Sequence, residues 1–195
     1  EFRTRQRRYP LRHRGNDGNE SADFESASMK NIFLTGPPSS GKTTVIKKVV
    51  AGLKRQAKGF YTQEIHVNGK RQGFKMITLT GKEGLLAHRD IKSAYTVSKH
   101  GISIENVDNI AVPSLIPDNQ SQIIILDEIG KMECFSEKFK EAALQALESN
   151  NTVIGTIAIG GTDFIRKIKN RCDIKIIEVT ESNRNELPEK ILNIM

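Results

Sequence analysis

A glycine-rich loop, Gly36–Thr43, constrains the fold of this chain more than any other feature. It has the sequence Gly-Pro-Pro-Ser-Ser-Gly-Lys-Thr, which matches the pattern G-x-x-x-x-G-K-[ST]. An apolar run, Asn31–Thr35, precedes the loop, and apolar residues at helical spacing follow it from Val45 to Leu53. A strand, this loop and a helix in that order aim successive backbone N–H groups at one point, which favours binding of phosphate groups. The alternative, a glycine turn that only joins strand to helix, does not require the lysine and threonine.

Four side chains in two segments have the chemistry for phosphoryl transfer. Lys42 can reach the β- and γ-phosphates of a nucleotide, and the Thr43 hydroxyl can ligate Mg²⁺. Asp127 and Glu128 directly follow a second apolar run, 123–126, which places them at the carboxyl edge of a parallel sheet, where ligands bind. One of the two acids can hold the hydration shell of the Mg²⁺ ion, and the other can act on the attacking water.

The predicted nucleotide site comprises both segments in full. Its residues are Gly36, Pro37, Pro38, Ser39, Ser40, Gly41, Lys42, Thr43, Thr44, Ile123, Ile124, Ile125, Leu126, Asp127, Glu128, Ile129 and Gly130. Lys131 and Glu133 follow closely and are weaker candidates, with an exposed loop as the alternative. Arg71 is a candidate for an extra cation, although an arginine beside a hairpin turn is usually only solvated.

The remaining pattern alternates between strands and helices. Two extended runs, 59–67 and 70–80, flank Asn68-Gly69, which predicts a hairpin with a type I′ turn. Residues 104–116 have helical spacing that Pro113 and Pro117 end or kink. Residues 135–147 predict an amphipathic helix capped by Ser136. Further strands are expected at 152–157 and 174–179, a helix at 187–195, and short strands around 85–87 and 95–97. This alternation predicts an α/β sandwich with a largely parallel sheet and a hairpin.

The first 28 residues differ in composition from the rest. They hold six arginines and five acids among few apolar residues, which predicts a disordered extension or a remnant of cloning, with Met29 as the natural start. An Arg-rich transit peptide or nucleic-acid arm is the alternative. Subtracting these residues from 30 basic and 23 acidic leaves 24 and 18, a net charge of +6, on one domain of residues 29–195. A nucleotide partner is sufficient to account for that charge, and nucleic acid is possible but not required.

Cysteine content and hydropathy indicate the compartment. Two cysteines, Cys134 and Cys172, cannot form a disulfide framework, and we expect both to be buried thiols in a reducing compartment. No apolar run is long enough to span a membrane. We therefore expect a cytoplasmic protein, and a monomer.

Four segments together resemble a known family. Besides the glycine-rich loop they are 59–64 (Gly-Phe-Tyr-Thr-Gln-Glu), 71–74 (Arg-Gln-Gly-Phe) and 127–133 (Asp-Glu-Ile-Gly-Lys-Met-Glu). In order and spacing this set is similar to the THEP-type, or cancer-related, P-loop nucleoside-triphosphatases, over essentially residues 29–195. The loop is common to many families, whereas the segment 127–133 is distinctive.

The resemblance implies a fold and an activity. The fold is a RecA-like P-loop NTPase sandwich of three layers, in which another strand separates the one before the loop from the one bearing Asp127. The activity is Mg²⁺-dependent hydrolysis of nucleoside triphosphates (ATP, GTP, CTP and UTP) to diphosphate and phosphate. Carried over by position, the resemblance implies that Asp127 supports the metal with Thr43, and that Lys42 and Glu128 are catalytic, with Glu128 as the base.

Two further segments bear on this resemblance. Asn183 and Arg184 are in a segment similar to one near the family's base site. One departure is the segment 155–158, Gly-Thr-Ile-Ala here and often Ala-Thr-Ile-Pro in the family, so the role of that segment is open.

Two other functions are compatible with the same loop. A nucleotide or nucleoside kinase has this size and loop, but its usual arginine-rich lid has only Arg71 and Arg89 as candidates here. A nucleotide-switched RNA-binding module is the third possibility, for which the basic residues between 166 and 171 are the candidate surface.

Overall fold

The computed structural model describes residues 30–195, so the disorder expected for residues 1–28 lies outside the described residues. The helices in this part of the chain are α1 (Lys42–Gly52), α2 (Ile104–Asn106), α3 (Val112–Ser114), α4 (Glu137–Glu148), α5 (Asp163–Lys169) and α6 (Leu187–Asn193). The strands are β1 (Asn31–Thr35), β2 (Ala57–Val67), β3 (Lys70–Thr78), β4 (Glu83–His88), β5 (Thr96–Val97), β6 (His100–Ile102), β7 (Ile123–Ile129), β8 (Thr152–Ile157) and β9 (Ile174–Glu178).

All nine strands form one sheet in the order β5-β6-β4-β3-β2-β7-β8-β1-β9. The five strands from β2 to β9 in this order pair in parallel, and the other four continue the sheet with antiparallel pairs. β8 lies between β1 and β7, which is the additional strand that the resemblance implied. The RecA-like arrangement is therefore confirmed.

The predicted hairpin is present, and it belongs to the main sheet. Asn68 and Gly69 have φ of 49° and 72°, the positive values that a type I′ turn requires. β2 pairs with β3 on one side and in parallel with β7 on the other. Through β2 the hairpin is held rigidly beside the strand that bears Asp127.

Residues 104–114 form one continuous helical segment with a π-helical stretch, Val107–Ala111, in its middle. Pro113 has no N–H to donate to the carbonyl oxygen of Asn109 four residues earlier. Lys82 Nζ donates to that oxygen instead, at 2.9 Å. Pro113 is thus accommodated within the segment, which ends at Ser114.

Helices cover both faces of the sheet and complete the three layers. Successive strand residues alternate between two apolar clusters, as Ile32 and Phe33 of β1 do. One cluster packs against α1 and α6, and the other packs against α4, α5 and the segment 104–114. Ser136 accepts a hydrogen bond from the Phe139 N–H at 3.0 Å, so it caps α4 as predicted.

Two further expectations concern cysteines and membranes. Cys134 is buried, but Cys172 is exposed, so the prediction of two buried thiols is wrong for Cys172. Cys172 lies in the turn between α5 and β9, and its side chain is at the surface. Within residues 30–195, every helix is too short or too polar to cross a membrane.

Candidate active site

The glycine-rich loop connects β1 to α1, as its flanking patterns predicted. Gly36 has a φ of 143°, and a Cβ there would lie 2.8 Å from the carbonyl oxygen of Val179. Only glycine allows the loop to pass so close to the end of β9. The loop then turns back over its own backbone, with the Ser40 N–H donating to Pro37 O at 3.2 Å.

Lys42 is the first residue of α1, and its ammonium group lies over the loop. Nζ donates hydrogen bonds to the carbonyl oxygens of Gly36 at 2.9 Å and Pro37 at 3.0 Å. Thr43 and Thr44 follow in the first turn, and both line the cleft above the loop. The loop thus presents one cation, two hydroxyls and the N-terminal N–H groups of an 11-residue helix to the same space.

Asp127 lies at the end of β7 and is 1% exposed. The Thr156 hydroxyl on neighbouring β8 donates to Asp127 Oδ1 at 2.5 Å. Burial raises the pKa of Asp127, while the Thr156 bond, the nearby Thr43 hydroxyl, the Thr62 backbone and the charge of Lys42 act in the opposite direction. Asp127 Oδ2 is buried and has no hydrogen-bond partner of ordinary length among residues 30–195.

Glu128 follows Asp127 and faces the cleft. Burial raises the pKa of its carboxyl, the charge of Asp127 raises it further, and Lys42 lowers it. A carboxylate with a raised pKa is a stronger proton acceptor than a solvated one, which suits a general base.

A cleft of about 660 Å³ joins the loop to the acidic end of β7. One wall is the loop and the first turn of α1, and the floor carries Glu128 and Gly130. The opposite wall comes from strands β2 to β5, the turn after β7 and the residues that follow β8. Its residues are Thr62, Gln63, Glu64, Arg71, Phe74, Leu86, Val97, Lys131, Met132, Glu133, Ala158 and Ile159.

The two candidates for an additional cation, Lys131 and Arg71, have different surroundings. Lys131 is exposed at the cleft, and Arg71 lines its far wall. Arg71 Nη1 donates to Glu64 Oε1 at 2.8 Å, across the hairpin, and the guanidinium lies over the Phe74 ring. The predicted extra cation Arg71 is therefore already paired with an acid.

Asn183 and Arg184 lie in the turn after β9. The Asn183 side chain shapes that turn by donating to Glu178 O at 2.8 Å and accepting from the Thr180 N–H at 2.9 Å. Arg184 Cδ is 3.5 Å from the position that a Cβ on Gly41 would take. The turn thus packs against the glycine-rich loop, outside the cleft-lining set.

The apolar β7 residues of the predicted nucleotide site do not line the cleft. The side chains at 123–126 and 129 are fully buried within the sheet and do not line the cleft; they are Ile123, Ile124, Ile125, Leu126 and Ile129. Their packing fixes β7 in place, and β7 in turn fixes Asp127 and Glu128. Pro37 and Ser40 likewise belong to the loop without lining the cleft.

Sequence reasoning did not identify Thr156 as a partner of Asp127, nor Thr62 and Glu64 as part of the cleft wall. Thr156 lies 29 residues beyond Asp127 in the sequence. In the sequence, Thr156 stands out only as part of the segment 155–158, which departs from the family pattern. Here that segment supplies the hydrogen bond to Asp127, and Ala158 lines the cleft.

A strand–loop–helix unit of this form, with an acidic strand end across one intervening strand, defines a P-loop protein of the RecA-like class. The sequence model of a family described as NTPase matches residues 31–192. Nucleoside-triphosphatase THEP1 of Thermotoga sp. (strain RQ2) is 46% identical over 165 residues, which cover 84% of this chain and 94% of that protein. The cancer-related nucleoside-triphosphatase of Homo sapiens is 36% identical over 175 residues, 81% of this chain and 92% of that protein.

A solved structure agrees with these relatives. The crystal structure of THEP1 from the hyperthermophile Aquifex aeolicus superposes with a TM-score of 0.77 at 34% identity, covering 84% of this chain and 98% of that one. The chain belongs to the NTPase family that these proteins represent.

Proposed function

We propose that this protein hydrolyses nucleoside triphosphates to nucleoside diphosphate and phosphate, with Glu128 as the base. The observation that carries the proposal is that Lys42 and Thr43 of the loop line the same cleft as Glu128. The names of the relatives, all nucleoside-triphosphatases, support it. The resemblance in sequence extends the proposal to ATP, GTP, CTP and UTP.

The residues present fit a magnesium ion between Thr43 and Asp127. Asp127 Oδ2 is a buried carboxylate oxygen with no partner of ordinary length among the described residues, and Thr43 supplies a hydroxyl nearby. Within residues 30–195, no group of three or more His, Cys, Asp or Glu side chains could hold a metal alone, so substrate oxygens and water would complete the shell. When bound, Mg²⁺ supplies positive charge to the β- and γ-phosphate oxygens.

The chain's own residues then act on the nucleotide and on one water molecule. Loop amides and Lys42 bind the phosphates and stabilise the charge that develops between them. Glu128 accepts a proton from the water, whose oxygen forms a bond to the γ-phosphorus. The bond from that phosphorus to the bridging oxygen breaks, and the diphosphate leaves. The proton returns from Glu128 to the released phosphate or to solvent.

Two further cations border the cleft. Lys131 is exposed there and forms no ion pair among the described residues, whereas Arg71 is paired with Glu64. We propose Lys131 as the first choice for an additional charge on the γ-phosphate. P-loop NTPases that lack an additional cation on the γ-phosphate hydrolyse their nucleotide slowly. We therefore expect a low rate if Lys42 is the only side-chain cation that contacts this phosphate.

Phosphate release tests the proposal directly. We expect release from all four triphosphates with Mg²⁺ and no acceptor, and a fall of about 100-fold or more in Lys42→Ala and in Glu128→Gln. Lys48→Ala is the matched control for the first variant, because Lys48 is exposed on the same helix outside the cleft. Near wild-type turnover in either active-site variant would refute the mechanism.

The same assay separates the two alternative functions. Adding nucleoside monophosphates or nucleosides reveals a kinase if the γ-phosphate appears on the acceptor instead of in solution. Adding RNA reveals the switched module if hydrolysis rises strongly and binding weakens steeply with salt.

We further propose that the protein acts in the cytoplasm as a monomer and requires no nucleic acid. Its two cysteines are both free thiols in the described part of the chain, in agreement with a reducing compartment. Light scattering during size exclusion, with and without nucleotide, gives the oligomeric state.

A further inference from the structure

Glu133 is a buried acid that has no role so far in the proposed hydrolysis. It is 4% exposed and begins the 3-10 turn Glu133–Phe135, yet its side chain contributes to the wall of the cleft. Among residues 30–195 no basic side chain forms an ion pair with it. Burial, followed by the charge of Glu128, raises the pKa of Glu133 to about 8, so this carboxyl is largely uncharged at neutral pH.

Gly130 gives a common reference point for the two glutamates. A Cβ on Gly130 would lie 2.8 Å from Glu133 Oε2 and 3.0 Å from Glu128 Oε1. The two carboxyl oxygens are therefore at most 5.8 Å apart, which is 2.8 plus 3.0 Å. A water molecule that donates to two oxygens at about 2.7–2.8 Å each, at its near-tetrahedral angle, joins oxygens about 4.5 Å apart. That separation lies within the 5.8 Å limit, so the positions of the two oxygens allow one bridging water.

We propose that Glu133 is a positioning residue that holds the attacking water together with Glu128. The water donates one hydrogen to Glu128 Oε1 and the other to Glu133 Oε2, so that a lone pair of its oxygen faces the cleft. This inference rests on the proposed hydrolysis. Orientation of a nucleophile by two fixed acceptors reduces the entropy lost on the way to the transition state.

The proton balance of the step leaves Glu133 unchanged. The water's proton passes to Glu128 as its oxygen bonds to the γ-phosphorus, and Glu133 neither gains nor loses a proton. An uncharged carboxyl suits this task, since it accepts through its carbonyl oxygen without adding a negative charge next to the triphosphate. A charged Glu133 would repel both Glu128 and the γ-phosphate.

Other titratable groups near Glu133 define the pH range of the test. Glu128 and Asp127 face it from β7, and the Cys134 thiol adjoins it with a pKa raised to about 12. From α1, Lys42 lowers the pKa of both β7 acids, and from α4, Lys140 lowers that of the thiol. Lys131, which is exposed, also lines the cleft. Cys134 therefore stays neutral through pH 9.

Three variants test the inference by steady-state phosphate release between pH 6 and 9. Glu133→Leu removes the acceptor, and we expect kcat to fall about 10- to 100-fold with KM within about twofold. Glu133→Gln keeps an uncharged acceptor, so we expect kcat within about threefold of wild type and no loss of activity above pH 8. Glu141→Gln is the control, an exposed acid on α4 that should match wild type at every pH.

Gly130→Ala provides a second, independent test. Its methyl group would lie within 3.0 Å of both carboxyl oxygens and would compete with the proposed water for that space, while both acids stay in the chain. We expect a loss of kcat similar to that of Glu133→Leu. Melting temperatures measured for all variants separate this effect from unfolding.

Distinct outcomes separate the two proposals. Wild-type kcat in Glu133→Leu, or an alkaline decline in Glu133→Gln equal to that of wild type, overturns the positioning role and leaves hydrolysis intact. A fall in kcat that accompanies an equal loss of folded protein also overturns it. Absence of phosphate release from wild-type protein that still binds a fluorescent nucleotide refutes the proposed function, and the positioning role with it.

Discussion

The Thr156 hydroxyl holds the Asp127 carboxylate by one oxygen and leaves the other free of ordinary hydrogen bonds. Thr156→Val keeps the shape of the side chain but removes the donor, so Asp127 Oδ1 loses its partner in a buried position. We expect the free energy of unfolding to fall by about 1–3 kcal/mol. Because the lost bond had lowered the pKa of Asp127, we also expect half-maximal hydrolysis to require more Mg²⁺.

Urea unfolding and a Mg²⁺ titration of phosphate release measure the two effects of Thr156→Val. Thr156→Ser retains the hydroxyl and serves as the control. An unchanged Mg²⁺ requirement in the valine variant would show that the bond does not tune the site.

Glu133 makes stability depend on pH in a definite direction. Its pKa is about 8 in the folded protein against 4.5 for the unperturbed group, so between these values the folded state holds a proton that the unfolded chain releases. The free energy of unfolding therefore falls as pH rises from about 4.5 to 8. At 1.36 kcal/mol per pKa unit, the full effect is at most about 5 kcal/mol. Glu133→Gln should lose this component.

Urea unfolding of wild type and Glu133→Gln from pH 5 to 9 tests this dependence. We expect the two stabilities to diverge with rising pH, in favour of the glutamine variant. Parallel curves would mean that Glu133 is charged in the folded protein at neutral pH.

The sequence located single residues well where their chemistry is local. Lys42, Thr43 and Glu128 line one cleft because each is held in a short motif next to its own strand or helix. The bond from Thr156 to Asp127 and the burial of Glu133 depend on which strands and turns become neighbours. No short-range pattern carries that information.

At the scale of elements, the pairing of β2 with β7 requires a glycine at position 59. This residue has a φ of 132°, and a Cβ there would clash with the backbone oxygen of Ile125 on β7. Gly59→Ala must therefore strain the chain or separate the two strands, and we expect a loss of about 3 kcal/mol or more in unfolding free energy. Gly160→Ala is the control, because a Cβ there meets open space, and it should change stability by less than about 0.5 kcal/mol.

Thermal or urea unfolding of these two glycine variants measures the difference. Since β7 carries Asp127 and Glu128, any separation of the strands should also reduce phosphate release. A Gly59→Ala protein as stable as Gly160→Ala would show that β2 shifts at no cost.

Elements were predictable in proportion to their length and regularity. β1 and β7 were expected because each contains an apolar run, and the hairpin was expected because Asn68-Gly69 favours its turn. β6 was not predicted, because a strand of only three residues has no recognisable pattern. The π-helical stretch in 104–114 was also unexpected, since the Lys82 contact with Asn109 O spans 27 residues of sequence.

At the scale of the whole molecule, strand order is the part that local patterns cannot supply. β8 lies between β1 and β7 although it follows both in the chain. The alternation of strands and helices predicted a parallel sheet, and the family resemblance supplied the position of this strand. Three of the antiparallel strands, β3, β4 and β5, add Arg71, Phe74, Leu86 and Val97 to the far wall of the cleft, and residue patterns did not reveal that these strands share a cleft with the glycine-rich loop.

A ligand that binds only the folded molecule stabilises it as a whole. At 100 times its dissociation constant, a nucleotide with Mg²⁺ contributes about 2.7 kcal/mol, which in a domain of this size raises the melting temperature by about 5–11 °C. We expect non-hydrolysable analogues of ATP, GTP, CTP and UTP to give similar increases, because the phosphates supply most of the contacts. Lys42→Ala should respond to none of them, whereas Lys48→Ala should respond as wild type does. An increase confined to one base would contradict this expectation and would make the turn bearing Asn183 and Arg184, which packs on the loop, the first segment to mutate.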